Sequence, residues 1–333
     1  MSGLYEDDFV ERLRRGAEAL APEWGLGPDT TIRLLTLSEN ATFLAEDPAR
    51  DAPLILRVHR PDYHSRAEIE SELAWISALR ESGAVLTPEP LRLRDGSHIA
   101  SFEESGQTRH VVGFEFMPGR EPDADASLVP GFETLGAISA QLHGHSRNWT
   151  PPEHFLRKTW NFETAFGPAP LWGDWRAALG LTVAQGALLE RLCNVLEQKL
   201  AAYGAGPERF GLVHADLRLA NLLADGDNLA VIDFDDCGFS WFIYDFAAAI
   251  SFLETDSIVP ALQAAWVRGY RSVAPLSDED VAMIPTFIMF RRLLLTAWIA
   301  SHAETETAAM AGHAAYTEGT VALAEAYLAE QER

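Results

Sequence analysis

Residues 212–236 read LVHADLRLANLLADGDNLAVIDFDD, and this stretch decides the fold. His214, Asp216 and Asn221 stand in it with the spacing H-x-D-x-x-x-x-N, and the apolar run 229–232 then delivers Asp233 in Ile-Asp-Phe-Asp. Phosphoryl transfer from a nucleoside triphosphate needs this set: a carboxylate beside the attacking hydroxyl, then an amide and a second carboxylate on a divalent ion. Asp216 is the candidate base that orients the hydroxyl and gives its proton a destination. Asn221 and Asp233 offer the hard oxygen ligands that Mg²⁺ prefers. Three acids in Asp233-Phe-Asp-Asp repel one another unless cations intervene, so Asp235 is a further metal candidate, with a solvated loop acid as its alternative. Arg218 falls on the same side of an extended loop as Asp216, where a guanidinium can neutralise charge on a moving phosphoryl group. His214 reads as a brace for the loop, and Asp245 as a helix cap or a tie back to that loop.

Working outward, residues 1–25 read as a helix and 30–116 mainly as strands. The apolar runs are 32–37, 41–45, 54–59, 91–94, 97–102 and 111–116, and Asp95-Gly96 gives a hairpin signal between the fourth and fifth. One helix interrupts them. Over 66–80, Ile69, Leu73, Ile76 and Leu79 recur at steps of three and four, and Gly83 is a plausible stop. At Met117-Pro118-Gly119 the pattern changes. Beyond it the chain reads as helices over 131–145, 182–203, 259–270 and, in pieces, 278–328, with 212–236 as two short strands around a loop. The expected architecture is α+β and two-lobed. A small antiparallel-sheet N-lobe with one main helix, residues 1–116, binds nucleotide. A larger helical C-lobe, residues 117–333, carries catalysis and the acceptor. The strand near 114–120 is the hinge.

In the N-lobe the candidate phosphate clamp is Arg57, inside the strand 54–59, steadied by Glu72 on the following helix; Arg60 is the rival cation. The chain's two lysines are Lys158 and Lys199, so an arginine must serve here. The turn within 36–45 lacks a glycine-rich signature, which leaves Ser38, Asn40 and backbone N–H groups to contact phosphates. Met117 and Gly119 fit a hinge that accepts adenine through its backbone. Trp149, Trp160, Trp172 and Trp175, with Asp174 among them, form either core or an aromatic wall that could hold an ammonium group.

Of 333 residues 47% are hydrophobic, and the formal net charge is −23. Such a surface repels nucleic-acid phosphates and favours a cationic small-molecule acceptor. Two cysteines cannot build a disulfide framework, which fits a reducing cytoplasm. The N-terminus lacks an apolar signal segment, and the most apolar run, 284–300, contains Pro285, Arg291 and Arg292, so it reads as a buried helix rather than a membrane span.

The segments 212–223 and 231–236, together with Asp245, resemble the aminoglycoside phosphotransferase family of kinase-like enzymes, which includes choline and homoserine kinases. The resemblance spans roughly 30–255. It extends to Leu-Arg-Val at 56–58 and to the helix segment from Glu72 to Leu79. Where the family usually reads H-G-D-x-H-x-x-N, this chain has Ala215 and Arg218. The resemblance implies a kinase-like fold, ATP with Mg²⁺, and transfer to a hydroxyl. It implies Asp216 as base, Asn221 and Asp233 on the metal, and Arg57 with Glu72 as the clamp. The expected function is transfer of the γ-phosphoryl group to a small amine, amino alcohol or sugar. The alternatives are a protein Ser/Thr kinase on the same scaffold and a non-catalytic nucleotide-binding regulator.

Overall fold

The computed structural model describes residues 7–38, 40–122, 128–226, 228–303 and 305–332. They form two compact units that are not contiguous in sequence. The first holds Met1–Gly119, Thr150–Arg157 and Ala230–Asp235; the second holds Arg120–Trp149, Lys158–Leu229 and Asp236–Arg333.

The first unit opens with α1 (Asp7–Leu20), whose end passes into a short 3₁₀ turn that stops at Gly25, φ 74°. Then come β1 (Thr31–Leu37), β2 (Ala41–Glu46), β3 (Leu54–Val58), α2 (Arg66–Ser82), β4 (Pro90–Leu91), β5 (Ile99–Glu104) and β6 (Gln107–Glu115). The strands make one antiparallel sheet in the order β1-β2-β3-β6-β4, with β5 also on β6. Alternation along the strands sends Phe43, Leu56 and Val111 into a core that Leu13 and Ala17 of α1 close from one side. α2 starts where Ser65 and Glu68 cap each other's backbone and ends at Gly83, φ 65°. Its buried face is the one the periodicity selects, with Ile69, Leu73, Ile76 and Leu79, plus Trp75.

The hairpin expected at Asp95-Gly96 needs correcting. A turn forms there, with Gly96 at φ 86° and Leu93 N–H donating to Ser97 O, but its flanks do not pair as a ladder. β4 is two residues long and pairs with β6 instead. The hairpin lies at Ser105-Gly106, φ 52° and 80°, the positive pair that a tight antiparallel connection requires. β6 therefore starts at 107 rather than 111.

The second unit carries α3 (Leu128–Asn148), α4 (Phe162–Phe166), α5 (Val183–Tyr203), β7 (Phe210–Val213), β8 (Leu222–Asp225), β9 (Asn228–Val231, which crosses the unit boundary), β10 (Gly238–Trp241), α6 (Tyr244–Ala249), α7 (Val259–Val273), α8 (Asp278–Ser301), α9 (Glu306–Ala311) and α10 (His313–Gln331). The stretch 212–236 thus holds more than two strands, and β7 pairs with the later β10 in a short antiparallel ladder. α8 runs through Pro285 and is long and apolar enough to cross a membrane by length and composition, yet 78% of that window is buried. Both of its arginines are buried and paired: Arg292 meets Glu254 at 2.7 Å, donates to Tyr316 O and lies over the Tyr316 ring, which ties α8 to α10.

α3 and α7 cross at two glycines. A Cβ on Gly136 would lie 2.0 Å from Trp266 O, and one on Gly269 would lie 1.8 Å from Glu133 O. Backbone cannot yield as a flexible side chain does, so the helices must separate to admit a methyl group. Gly269→Ala is expected to destabilise the protein by about 1–3 kcal/mol. Chemical denaturation checks this; an unchanged midpoint would show that the crossing has slack.

Candidate active site

In the helical unit, β7 delivers His214, Ala215 and Asp216. The chain turns sharply because Ala215 sits at φ 67°, a left-handed conformation that glycine adopts freely and alanine at a cost of roughly 1–2 kcal/mol. The turn is held by Asp245, at the start of α6 and fully buried. Its carboxylate accepts the N–H of Ala215 at 2.8 Å and of His214 at 3.3 Å. It also meets His143 Nε2 at 3.0 Å, while His143 Nδ1 lies 3.1 Å from the Tyr270 hydroxyl. Burial pushes the His143 imidazole below its usual range, against the pull of Asp245. His214 is a brace, accepting the N–H of Asp216 on Nδ1 at 3.2 Å.

Asp216 stands among donors. Arg291 Nη2 donates to Oδ1 at 2.6 Å; Arg218 Nε donates to Oδ2 at 3.2 Å, and Asn221 Nδ2 donates to Oδ2 at 2.7 Å. Burial would raise its pKa, but Arg218, Arg291 and His214 outweigh burial and hold the carboxyl below the usual carboxylate range. Asn221 Nδ2 also donates to Asp216 O at 2.8 Å. With its amino group spent on Asp216, the group this buried amide has left to offer a cation is its carbonyl oxygen.

The sheet unit holds the other candidates. Arg57 on β3 donates through Nη2 to both oxygens of Glu72 at 2.7 Å, and Phe114 lies under the guanidinium at 5.1 Å. Burial opposes the charge, but Glu72, Asp235 and Asp233 outweigh it and raise the pKa above the usual arginine value. Arg57 Nε is buried and has no hydrogen-bond partner among the described residues. Asp233 follows β9 at φ 60° with its carboxylate 44% exposed and 3.3 Å from Arg57 Nη1. Phe234 anchors the turn edge-on against Trp75 of α2 at 5.4 Å. Asp235 points elsewhere. It is buried, 3.3 Å from His64 Nε2, 3.6 Å from His59 Nδ1 and 3.8 Å from Arg57 Nη2. Burial would raise its pKa, but His64 and Arg57 hold it well below the carboxylate range.

Of the remaining expected residues, Asn40 is buried and its Oδ1 accepts the Arg60 N–H at 3.1 Å, so it shapes the turn. Ser38 is exposed and its N–H donates to Asn40 O; Glu39, between them, lies outside the described residues. Met117 is half-buried in the segment after β6. Glu72 takes its ion pair from Arg57, at 2.7 Å. Trp160, Trp172 and Trp175 are buried core, and Asp174 caps a 3₁₀ turn and pairs with Arg176 at 3.1 Å. Trp172 packs 5.1 Å from the Arg291 guanidinium. Among the described residues no cluster of three or more His, Cys, Asp or Glu could hold a metal, so any ion here takes a donor set of another make-up, such as an amide with a carboxylate.

Arg291 went unread in the sequence as a partner of Asp216. Its signal was present: an arginine inside an apolar helix must find a buried acid.

The sequence profile of the phosphotransferase enzyme family matches residues 31–276. The chain belongs to this family. It is a kinase-like phosphotransferase, with the antiparallel-sheet and helical parts that fold class predicts. A solved structure of a microcompartment-associated aminopropanol kinase is 46% identical, superposes with a TM-score of 0.87 and covers 94% of this chain and 97% of its own. An amicoumacin kinase bound to AMP-PNP, Ca²⁺ and Ami shares the fold, with a TM-score of 0.73 at 21% identity over 95% of this chain and 93% of that one. A homoserine kinase of Rhizobium johnstonii is 28% identical over 255 residues, 74% of this chain and 72% of that protein. Against a Synechocystis relative, 26% identical over 242 residues, the match covers 71% of this chain but 63% of that protein.

Ala215→Gly relieves strain but frees the unfolded chain, and the two effects oppose, so its stability is expected to stay within about 1 kcal/mol of the parent. Ala215→Val, β-branched at positive φ, is expected to lose about 2 kcal/mol or more. Urea unfolding of the pair checks this, and equal midpoints for the two variants would contradict it.

Proposed function

We propose that this phosphotransferase is an ATP- and Mg²⁺-dependent kinase that phosphorylates the hydroxyl of a small amino alcohol. The observation that carries the reading is the state of the Asp216–Asn221 pair. The carboxylate, its pKa held below the usual carboxylate range by Arg218 and Arg291, is fixed on a braced turn, and the neighbouring amide donates to it so that the amide's carbonyl oxygen is left for a cation. Asp216 aligns the acceptor hydroxyl. Because its pKa is depressed it is a weak base, which suits a loose transition state in which the proton leaves late. Arg57, steadied by Glu72, supplies the cation for the α/β-phosphates. Asn221 of the helical unit and Asp233 of the sheet unit would each offer an oxygen ligand to Mg²⁺, which when bound would neutralise charge on the phosphates. Arg218 offsets charge on the moving phosphoryl group. The attacking oxygen forms its bond to phosphorus as the bond to the β–γ bridging oxygen breaks, and the hydroxyl proton passes to Asp216 and on to solvent, so the products are the phosphate ester, ADP and a proton.

Two lines support an amino alcohol. The aminopropanol kinase shares 46% of its residues with this chain, and homoserine, the acceptor of another relative, is also an amino alcohol. The chain's net charge of −23 raises the local concentration of an ammonium-bearing acceptor.

Initial rates with ATP, Mg²⁺ and a panel of aminopropanol, ethanolamine, homoserine, sugars and a generic protein acceptor test the reading. An amino alcohol is expected to give the highest kcat/KM, with a rate that falls as salt rises. A preference for the protein acceptor, or no turnover with any amino alcohol, sinks it. Asp216→Ala is expected to lower kcat by about 10³-fold or more while ATP still binds. Arg57→Ala is expected to raise the KM for ATP more than that for the acceptor; an equal rise in both would move the clamp elsewhere.

A further inference from the structure

The donors around Asp216 are unevenly shared between its two oxygens. An ionised carboxylate offers about four lone-pair directions, two on each oxygen. On Oδ2 both are taken, by Arg218 Nε at 3.2 Å and Asn221 Nδ2 at 2.7 Å. On Oδ1 one is taken, by Arg291 Nη2 at 2.6 Å. Among the described residues one direction remains, and it is on the oxygen that Arg291 holds.

Arg291 is itself fixed more completely than a counter-ion needs to be. Its side chain is 2% exposed. Nε donates to Ser251 Oγ at 3.1 Å, and Nη1 donates to the Tyr244 hydroxyl at 2.9 Å and to Ala215 O at 3.3 Å. The rings of Trp172 and Tyr244 lie 5.1 and 5.7 Å from the guanidinium carbon. One rigid fork thus grips both the carbonyl of the strained Ala215 and the carboxylate of the next residue. Asp245 holds the same turn from its N–H side. A lysine could reach one of these acceptors but not span them, because a planar fork fixes two directions at once and an ammonium fixes none.

We infer that Arg291 is the positioning residue of Asp216, and that the acceptor hydroxyl docks on the remaining lone pair of Asp216 Oδ1, beside Arg291. The inference rests on the reading of Asp216 as the group that orients the hydroxyl. Arg291 does not touch the reacting phosphorus. It sets the plane of the carboxylate, so its loss lets Asp216 rotate and misaligns the attacking oxygen, and small misalignments of this kind cost about 10²-fold in rate.

The experiment compares Arg291→Ala, Arg291→Lys, Arg218→Gln and Asp216→Ala with the parent, reading kcat, both KM values and the unfolding midpoint. Arg291→Ala is expected to lose about 10²-fold in kcat and to raise the acceptor KM, with the KM for ATP within about twofold of the parent. Millimolar guanidinium ion, filling the space the side chain leaves, is expected to recover at least about tenfold of that loss, and the neutral isostere urea is expected to recover none. If Arg291→Ala does not fold, Arg291→Lys carries the test: it keeps the charge and is expected to lose at least about tenfold in kcat. A lysine variant with parental kcat, or equal rescue by urea, overturns the positioning role. Because Arg218 also offsets charge on the moving phosphoryl group, the acceptor KM decides: a larger rise from Arg218→Gln than from the Arg291 variants moves the hydroxyl to Oδ2 and overturns the docking assignment. If Asp216→Ala itself keeps near-parental turnover, the reading of Asp216 fails, and that failure is separate from any result at Arg291.

Discussion

A buried carboxylate holds the turn that everything else in the helical unit serves. Asp245 has no exposure, and a charge in that position is tolerable only when its lone pairs are satisfied. Two backbone N–H groups and an imidazole satisfy them. The same bonds force residues 214 and 215 into a bend that their own preferences resist. Strain at Ala215 and burial at Asp245 are thus two sides of one arrangement, and the fold pays for both because the bend presents Asp216 at a fixed angle.

The sheet unit uses the opposite device. There a buried cation organises acids: Arg57 draws Glu72 from α2 and Asp233 and Asp235 from the segment after β9. Asp235 is further secured by His64, and the backbone carbonyl of Asp235 accepts from Arg157, whose Nη1 also reaches Glu68 O. Three acids in four residues read as mutual repulsion in a linear sequence. In the structure their charges are divided, with Asp235 turned inward to the histidines and Asp233 turned outward at positive φ.

What was legible in the sequence was what local rules determine. The α2 face and its glycine stop follow from a 3.6-residue period and from the chemistry of helix ends. The pairing of Arg57 with Glu72 follows from a strand and the helix after it, fifteen residues apart. The hairpin was misplaced because Asp95-Gly96 and Ser105-Gly106 are both good turns; the choice between them depends on which flank finds a partner on β6, a non-local fact. Arg291 was missed for a similar reason. Its partner lies 75 positions away, and periodicity marks it as an interruption of an apolar helix without saying what it faces. Asp235 was read from its neighbours in sequence, whereas His59 and His64, which surround it, arrive from the loop after β3.

The sheet unit is assembled from three separated parts of the chain. Val231 N–H bonds to Leu86 O, Phe234 covers Trp75, and Leu156 N–H caps Ser71 Oγ. On the ribosome residues 31–115 therefore emerge with all six strands of the sheet but ahead of the segments 150–157 and 230–235 that complete the unit. At ordinary elongation rates the wait is on the order of ten seconds, with an indole face uncovered meanwhile. Truncation after the last sheet strand keeps the sheet and its core but removes Phe234 from the Trp75 face and Leu156 from Ser71 of α2.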